Sequence, residues 1–343
     1  MTETAIPSRA RPFPKRTALL VGMILAMAVM IFGPAWAGFP ARLAFFAGLV
    51  SAAALLLEGR ARYFFNGPAA YMAAGSLVIL VLLALFATEL SPQNPYDLAQ
   101  LDIMDGRLAP GGTNFDGTFT YRLGTDEQGR DILSGILYGL RVSLSVAILA
   151  TAVAMAIGVV VGIYAAWAGG RVEAILMRLV DLQLSFPSIL VALMLMAAFG
   201  RGLDKVVIAL IVVQWAYYAR TVRGTALAET QKDYIDAARG LGLSSMRILF
   251  RHLLPNCIPP LLVISTVQIA NTIVLESSLS FLGVGVPITR PSLGLLIANG
   301  YDYMLSGQYW MSMYPGVALL AIVASINLVG DRLRDSLNPR LRR

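Results

Sequence analysis

Several things are scarce in this chain of 343 residues. It has one cysteine, Cys257, so no intrachain disulfide can form. It has one histidine, His252, which effectively excludes a His/Cys metal cluster. Charged residues make up only 14%, against the roughly 25% usual in a soluble domain, while apolar residues reach 57%. That balance excludes a disordered chain and argues against an ordinary soluble enzyme. Only three lysines occur, Lys15, Lys205 and Lys232, and none follows a glycine. A phosphate-binding loop of the form G-x-x-x-x-G-K-[ST] is therefore absent, and the chain carries no ATPase site of that kind.

What is abundant is apolar sequence in long runs. A hydrocarbon core of ~30 Å needs about 20 apolar residues in helical form. Eight stretches qualify or nearly so: Ala18–Trp36, Leu43–Leu57, Tyr71–Leu90, Ser143–Trp167, Met177–Phe199, Val206–Tyr218, Pro259–Leu282 and Met313–Gly330. The expected class is an all-α integral membrane protein. The net charge of +7 comes from arginine at the span ends, not from one solvated basic face, so a nucleic-acid partner is not expected. If both termini are cytoplasmic and all eight spans cross, 19 of the 27 Lys and Arg residues fall inside. That asymmetry supports the orientation. Basic residues 9–16, an apolar run and Ala35-Trp36-Ala37 imitate a cleavable secretory signal, but the run is too long, and an uncleaved anchor is expected.

The organisation expected is fourfold. Residues 1–66 hold the N-terminus and an added two-span hairpin. Residues 67–142 hold the first core span, an external loop and a helix at the membrane surface. Residues 143–334 hold five further spans, and 335–343 form a cytoplasmic tail. The surface helix is read from Ile132, Leu133, Ile136, Leu137 and Leu140, which recur at helical spacing.

The cytoplasmic stretch 219–257 is the longest internal loop and is patterned. Leu227, Tyr234, Ile235, Ala238 and Leu241 recur near the helical period. Gly242 stands where a helix would end in a left-handed residue. Ser244 and Ser245 offer an N-cap for a second helix, Met246 to Leu254, closed before Pro255. Helix, glycine turn, helix is expected, with a face too small to fold alone and another left for a partner.

This stretch resembles a known motif. Asp236-Ala237-Ala238, three residues, Gly242, nine residues, His252, one residue, Leu254-Pro255 is similar to the EAA loop of ABC importer permeases, E-A-A-x3-G-x9-I-x-L-P. The spacing matches throughout; Asp236 replaces Glu and His252 replaces Ile. Arg251-His252-Leu253-Leu254-Pro255-Asn256 resembles the peptide and nickel branch, where His is usual. Three further stretches resemble that branch: Leu123-Gly124-Thr125-Asp126 with Gly129-Arg130-Asp131; Ser280 to Gly285 with Pro291-Ser292-Leu293-Gly294, where Trp is commoner than Leu293; and Gly330 to Asp335 with Asn338-Pro339-Arg340. The resemblance spans about residues 70–343.

The resemblance implies a type I importer fold of six core spans, to which the N-terminal hairpin is an addition. It implies a non-enzymatic subunit of the inner membrane of a bacterial or archaeal cell. Its partners would be a second, related permease, two cytoplasmic ABC ATPases and an external solute-binding protein, with membrane lipid around it. ATP and Mg would be used by the ATPases, with no cofactor held by this chain. The coupling set would be Tyr234, Asp236, Ala237, Ala238, Arg239, Gly242, His252, Leu254 and Pro255, with Arg239 on the exposed side. The solute stays open: di- or oligopeptide, nickel chelate, opine and glutathione all remain.

Span seven carries a polar stripe, Gln268, Asn271, Thr272 and Glu276, with Ser265 near that face. It reads either as pore lining or as hydrogen bonding between helices. Asp181 is expected to pair with Arg178, and Pro187 to kink its span. An alternative class, an ion-driven secondary transporter, would use Asp181 as a proton relay and show internal repeats; no clear repeat is present.

Overall fold

The computed structural model describes residues 68–287 and 289–337. The expected spans Ala18–Trp36 and Leu43–Leu57, the whole 1–66 segment and Asn338-Pro339-Arg340 lie outside the described residues. Among the described residues, helices carry nearly all regular structure. Four of them are long and apolar enough to cross a membrane, or five if one bent pair counts as a single span.

Helix α1 (Pro68–Leu85) is apolar and shorter than those four. Phe86 leaves the helical region, so the expected span Tyr71–Leu90 ends as a separate turn, α2 (Ala87–Leu90). The following segment is held by a small antiparallel pair, β1 (Gly112–Thr113) and β2 (Thr120–Tyr121).

Helix α3 (Ile132–Ala168) is continuous over 37 residues, about 55 Å at 1.5 Å per residue. This corrects the expectation of a surface helix followed by a separate span at Ser143. Ile132, Ile136 and Leu140 pack with Leu293, Trp310 and Met311, so protein rather than a lipid surface covers that apolar face. Asp131 caps the helix, accepting from the Ser134 N–H at 2.8 Å and the Ser134 hydroxyl at 2.6 Å.

The expected span Met177–Phe199 is a bent pair. It is two helices, α4 (Gly170–Ser185) and α5 (Ser188–Phe199), bent by 89°. Pro187 forces the residue before it away from helical backbone, and Phe186 is accordingly extended at φ −92°, ψ 139°. The kink is thus a break.

Helix α6 (Leu203–Thr230) outlasts the expected Val206–Tyr218 at both ends. It packs on α3 through Gly158 and Gly162. A Cβ at Gly158 would lie 2.4 Å from the Tyr218 Cβ, and one at Gly162 would lie 2.5 Å from the Ala219 carbonyl oxygen. Backbones touch there, which only glycine permits.

Helix α7 (Asp233–Gly240) and α8 (Ser245–Ile248) follow. The chain then widens into a π turn, Leu249–Leu253, and continues as α9 (Leu254–Phe281). The second helix therefore does not close before Pro255. Proline lacks an N–H and its ring clashes with the carbonyl four residues back. The wider π register accommodates this: the Leu254 N–H bonds the Leu249 carbonyl, five residues back. Pro259 and Pro260 also lie within α9. Helix α10 (Leu293–Tyr301) starts at Ser292, whose hydroxyl accepts from the Leu295 N–H at 3.2 Å, and α11 (Trp310–Leu337) ends the described chain.

Candidate functional site

Helix α7 has a sharply divided surface. Ile235 and Ala238 are buried with Ile248, against Trp167 and Leu243. Asp236, Ala237, Arg239 and Gly240 are exposed, and Leu241 is 80% exposed at the turn. The helix ends as its sequence dictates. Gly242 has φ +71°, its N–H reaches the Arg239 carbonyl at 2.9 Å, and the Leu243 N–H reaches the Ala238 carbonyl at 3.2 Å. This paired closure satisfies carbonyls that would otherwise be orphaned. Ser244 takes the N-cap position of α8, but its side chain makes no capping bond.

Arg239 is exposed and also engaged. Its Nη1 lies 3.1 Å from Asp236 Oδ1, and its guanidinium lies over the Trp167 ring at the end of α3. Tyr234 donates to Glu229 at 2.6 Å and accepts from Asn256 Nδ2 at 2.9 Å. Burial, then the bond to Glu229, push its phenol up to about 12, so it stays a donor at neutral pH. His252, Leu254 and Pro255 are half-buried at the π turn and the start of α9. Trp167 and Glu229 escape a reading by spacing, because both lie outside the 233–255 pattern.

The polar stripe of α9 divides. Gln268, Thr272 and Glu276 are buried, and Asn271 is exposed. Thr272 bonds Gln214 of α6, which bonds Thr151 of α3 at 3.3 Å. Glu276 accepts from Ser143 of α3 at 2.8 Å and from Ser280 at 2.9 Å. These side chains form an interhelical seam. Gln214 stands out in sequence as a lone amide in an apolar run.

The stretch around Asp126 folds as an ordered turn. Asp126 Oδ1 accepts from the N–H groups of Gln128 and Arg130 at 2.8 and 2.9 Å. Burial raises its carboxyl above the usual range. Thr125 donates to the Asp105 carbonyl at 2.6 Å, and Trp310 Nε1 donates to the Thr125 carbonyl at 3.3 Å. Asp181 pairs with Arg220 of α6, correcting the expected Arg178, because α4 presents Asp181 to the facing helix.

What the arrangement offers is a partly apolar knuckle fixed to three long helices. Comparison with known proteins gives it context. Residues 158–343 match the family described as "Binding-protein-dependent transport system inner membrane component". The dipeptide transport system permease protein DppC of Escherichia coli K12 is 36% identical over 280 residues, covering 82% of this chain and 92% of that protein. The di/tripeptide transport system permease protein DppC of Pseudomonas aeruginosa is 35% identical over 266 residues, covering 78% and 86%. Among solved structures, a chain of the inward-facing MetNI methionine ABC transporter aligns at a TM-score of 0.50 and 22% identity, covering 59% of this chain and 96% of that one. That likeness concerns fold alone.

Proposed function

Because the chain belongs to the family of binding-protein-dependent transport system inner membrane components, we propose that it is the membrane-spanning permease subunit of an ATP-driven importer of di- or oligopeptides. The names of its relatives support the substrate class. The chain would sit in the cytoplasmic membrane with both termini inside, as six core spans and an added N-terminal hairpin. A related permease, two ABC ATPases and an external binding protein would complete the assembly. ATP and Mg would be used by the ATPases.

The observation that carries this reading is the knuckle. Asp236, Ala237 and Arg239 are exposed on a helix whose other face is pinned by Ile235 and Ala238, and Leu241 is exposed at the turn that follows. A short helix held in that way can pass a displacement from a docked motor to α3, α6 and α9. Asp236, Ala237, Arg239 and Gly242 would form its docking side, while Tyr234, Ala238, His252, Leu254 and Pro255 would seat it on the long helices. Asn271 would face the solute path. Gln268, Thr272 and Glu276 would hold together the helices that line it.

The test is affinity purification in mild detergent. Two ATPase chains and a second permease should come down with the chain. Asp236→Lys should lose the ATPases or uncouple them while the spans stay inserted. Normal ATP-driven uptake by that variant would refute the assignment of the knuckle.

A further inference from the structure

Tyr234 lies in the first turn of α7, but its hydroxyl points into the protein's own frame. It donates to Glu229 Oε2 at 2.6 Å, in the last turn of α6, and accepts from Asn256 Nδ2 at 2.9 Å, in the first turn of α9. The same amide nitrogen reaches the His252 carbonyl at 2.9 Å, inside the π turn. Lys232 Nζ holds the other Glu229 oxygen at 2.6 Å. One phenol thus joins three helices.

What lies between α7 and Asn256 along the chain makes this junction informative. Helix α8 rests on α7 through Ile248, and the π turn Leu249–Leu253 separates α8 from α9. A π turn carries wider, poorer hydrogen bonds than an α-helix and marks places where a helix yields. A push on α7 that travelled only along the chain would be absorbed there. The Tyr234–Asn256 bond reaches past the π turn and connects α7 directly to the base of α9.

We propose that Tyr234 is a positioning residue for transport, a strut that carries the displacement of α7 through Asn256 to α9, and that it is not a contact to the ATPase. This rests on the coupling role proposed for the knuckle and assigns the load path within it. Glu229, fixed by Lys232, holds the phenol in line. His252 takes part through its backbone carbonyl rather than its imidazole.

The experiment uses the whole assembled complex in lipid nanodiscs. Nitroxide labels replace Val160 on α3 and Val267 on α9, both exposed, while the native Cys257 is buried. The distance change between them on adding ATP and vanadate reports motion of α9 without requiring the solute. Tyr234→Phe, which removes only the hydroxyl, should leave the ATPases bound in wild-type proportion and hydrolysing ATP. The ratio of shifted to unshifted population should fall about fivefold, the factor one hydrogen bond commonly carries. Asn256→Ala should do the same, and the double variant should do no more than either alone. An unchanged shift in both single variants, or losses that add in the double variant, would overturn the strut. Loss of the ATPases from Tyr234→Phe would also overturn it, because the phenol would then belong to the docking face. A wild-type chain that retains no ATPase would overturn the coupling role and the strut together; intact assembly with an unchanged shift overturns the strut alone.

Discussion

The guanidinium of Arg239 lies over the indole of Trp167, 5.2 Å from the ring centroid. The pair fastens the exposed side of α7 to the last turn of α3, next to the buried contact of Ile235 and Ala238. At a partly exposed site such a contact contributes about 0.5–1 kcal/mol, equivalent to a two- to fivefold change in local opening. Trp167→Ala should therefore speed tryptic cleavage after Arg239 by at least that factor in the purified protein. Trp167→Phe, which keeps an aromatic face, should fall between the two. Equal cleavage rates in all three would contradict the contact.

Gly242 tests the turn without touching packing. Its φ of +71° disfavours any side chain, while a Cβ there would meet nothing within 4 Å. Gly242→Ala should cost about 1–3 kcal/mol of backbone strain, and Gly242→Asn less, because Asn tolerates the left-handed region. The checking measurement is ATPase retention on the affinity column, expected in the order wild type, Asn, Ala.

The α3–α6 seam makes a different kind of prediction. Gly158→Ala must push apart two backbones that are in contact and should lower the thermal midpoint of the purified chain. Gly224 on α6 is the control, since a Cβ there also meets nothing within 4 Å. Gly224→Ala should leave the midpoint unchanged or raise it, because alanine gains about 0.5–1 kcal/mol over glycine inside a helix. A light-scattering or fluorescence melt separates the two variants.

These contrasts show what the sequence makes legible. Gly242 follows from local rules: helical period before it, serines after it, and a left-handed residue required between. The long apolar runs likewise announce α3, α9 and α11 through solvent chemistry alone. The continuity of α3 through Ser143 was not legible, because an apolar stripe reads alike whether lipid or Trp310 covers it. The break at Phe186 was visible only as a kink, since Pro187 fixes local backbone but not the 89° between the helices it separates. The passage of the chain through Pro255 depends on a π register that no periodicity signals. The partners of Asp181 and Tyr234 are set by tertiary contact over 39 and 22 residues.

The polar stripe predicts an accessibility pattern. Asn271→Cys should react with a water-soluble thiol reagent in membranes, because its exposed face is the one proposed to line the solute path. Thr272→Cys, one residue on, should be protected in the resting state, where Thr272 is fully buried against Gln214. Mass spectrometry of the labelled protein reads both. Fast labelling at 272 with protection at 271 would reverse the assignment of faces.

The central claim is that the knuckle meets a nucleotide-driven partner on the cytoplasmic side, and a single-cysteine cross-link addresses it most directly. Leu241 is 80% exposed at the tip, and the only native cysteine is buried. Leu241→Cys carrying a photo-activated thiol cross-linker, irradiated in intact membranes, should form an adduct with the ATPase chain, and excess ATP should change its yield. Absence of that adduct, together with labelling of the same cysteine by a membrane-impermeant reagent added outside whole cells, would contradict the claim.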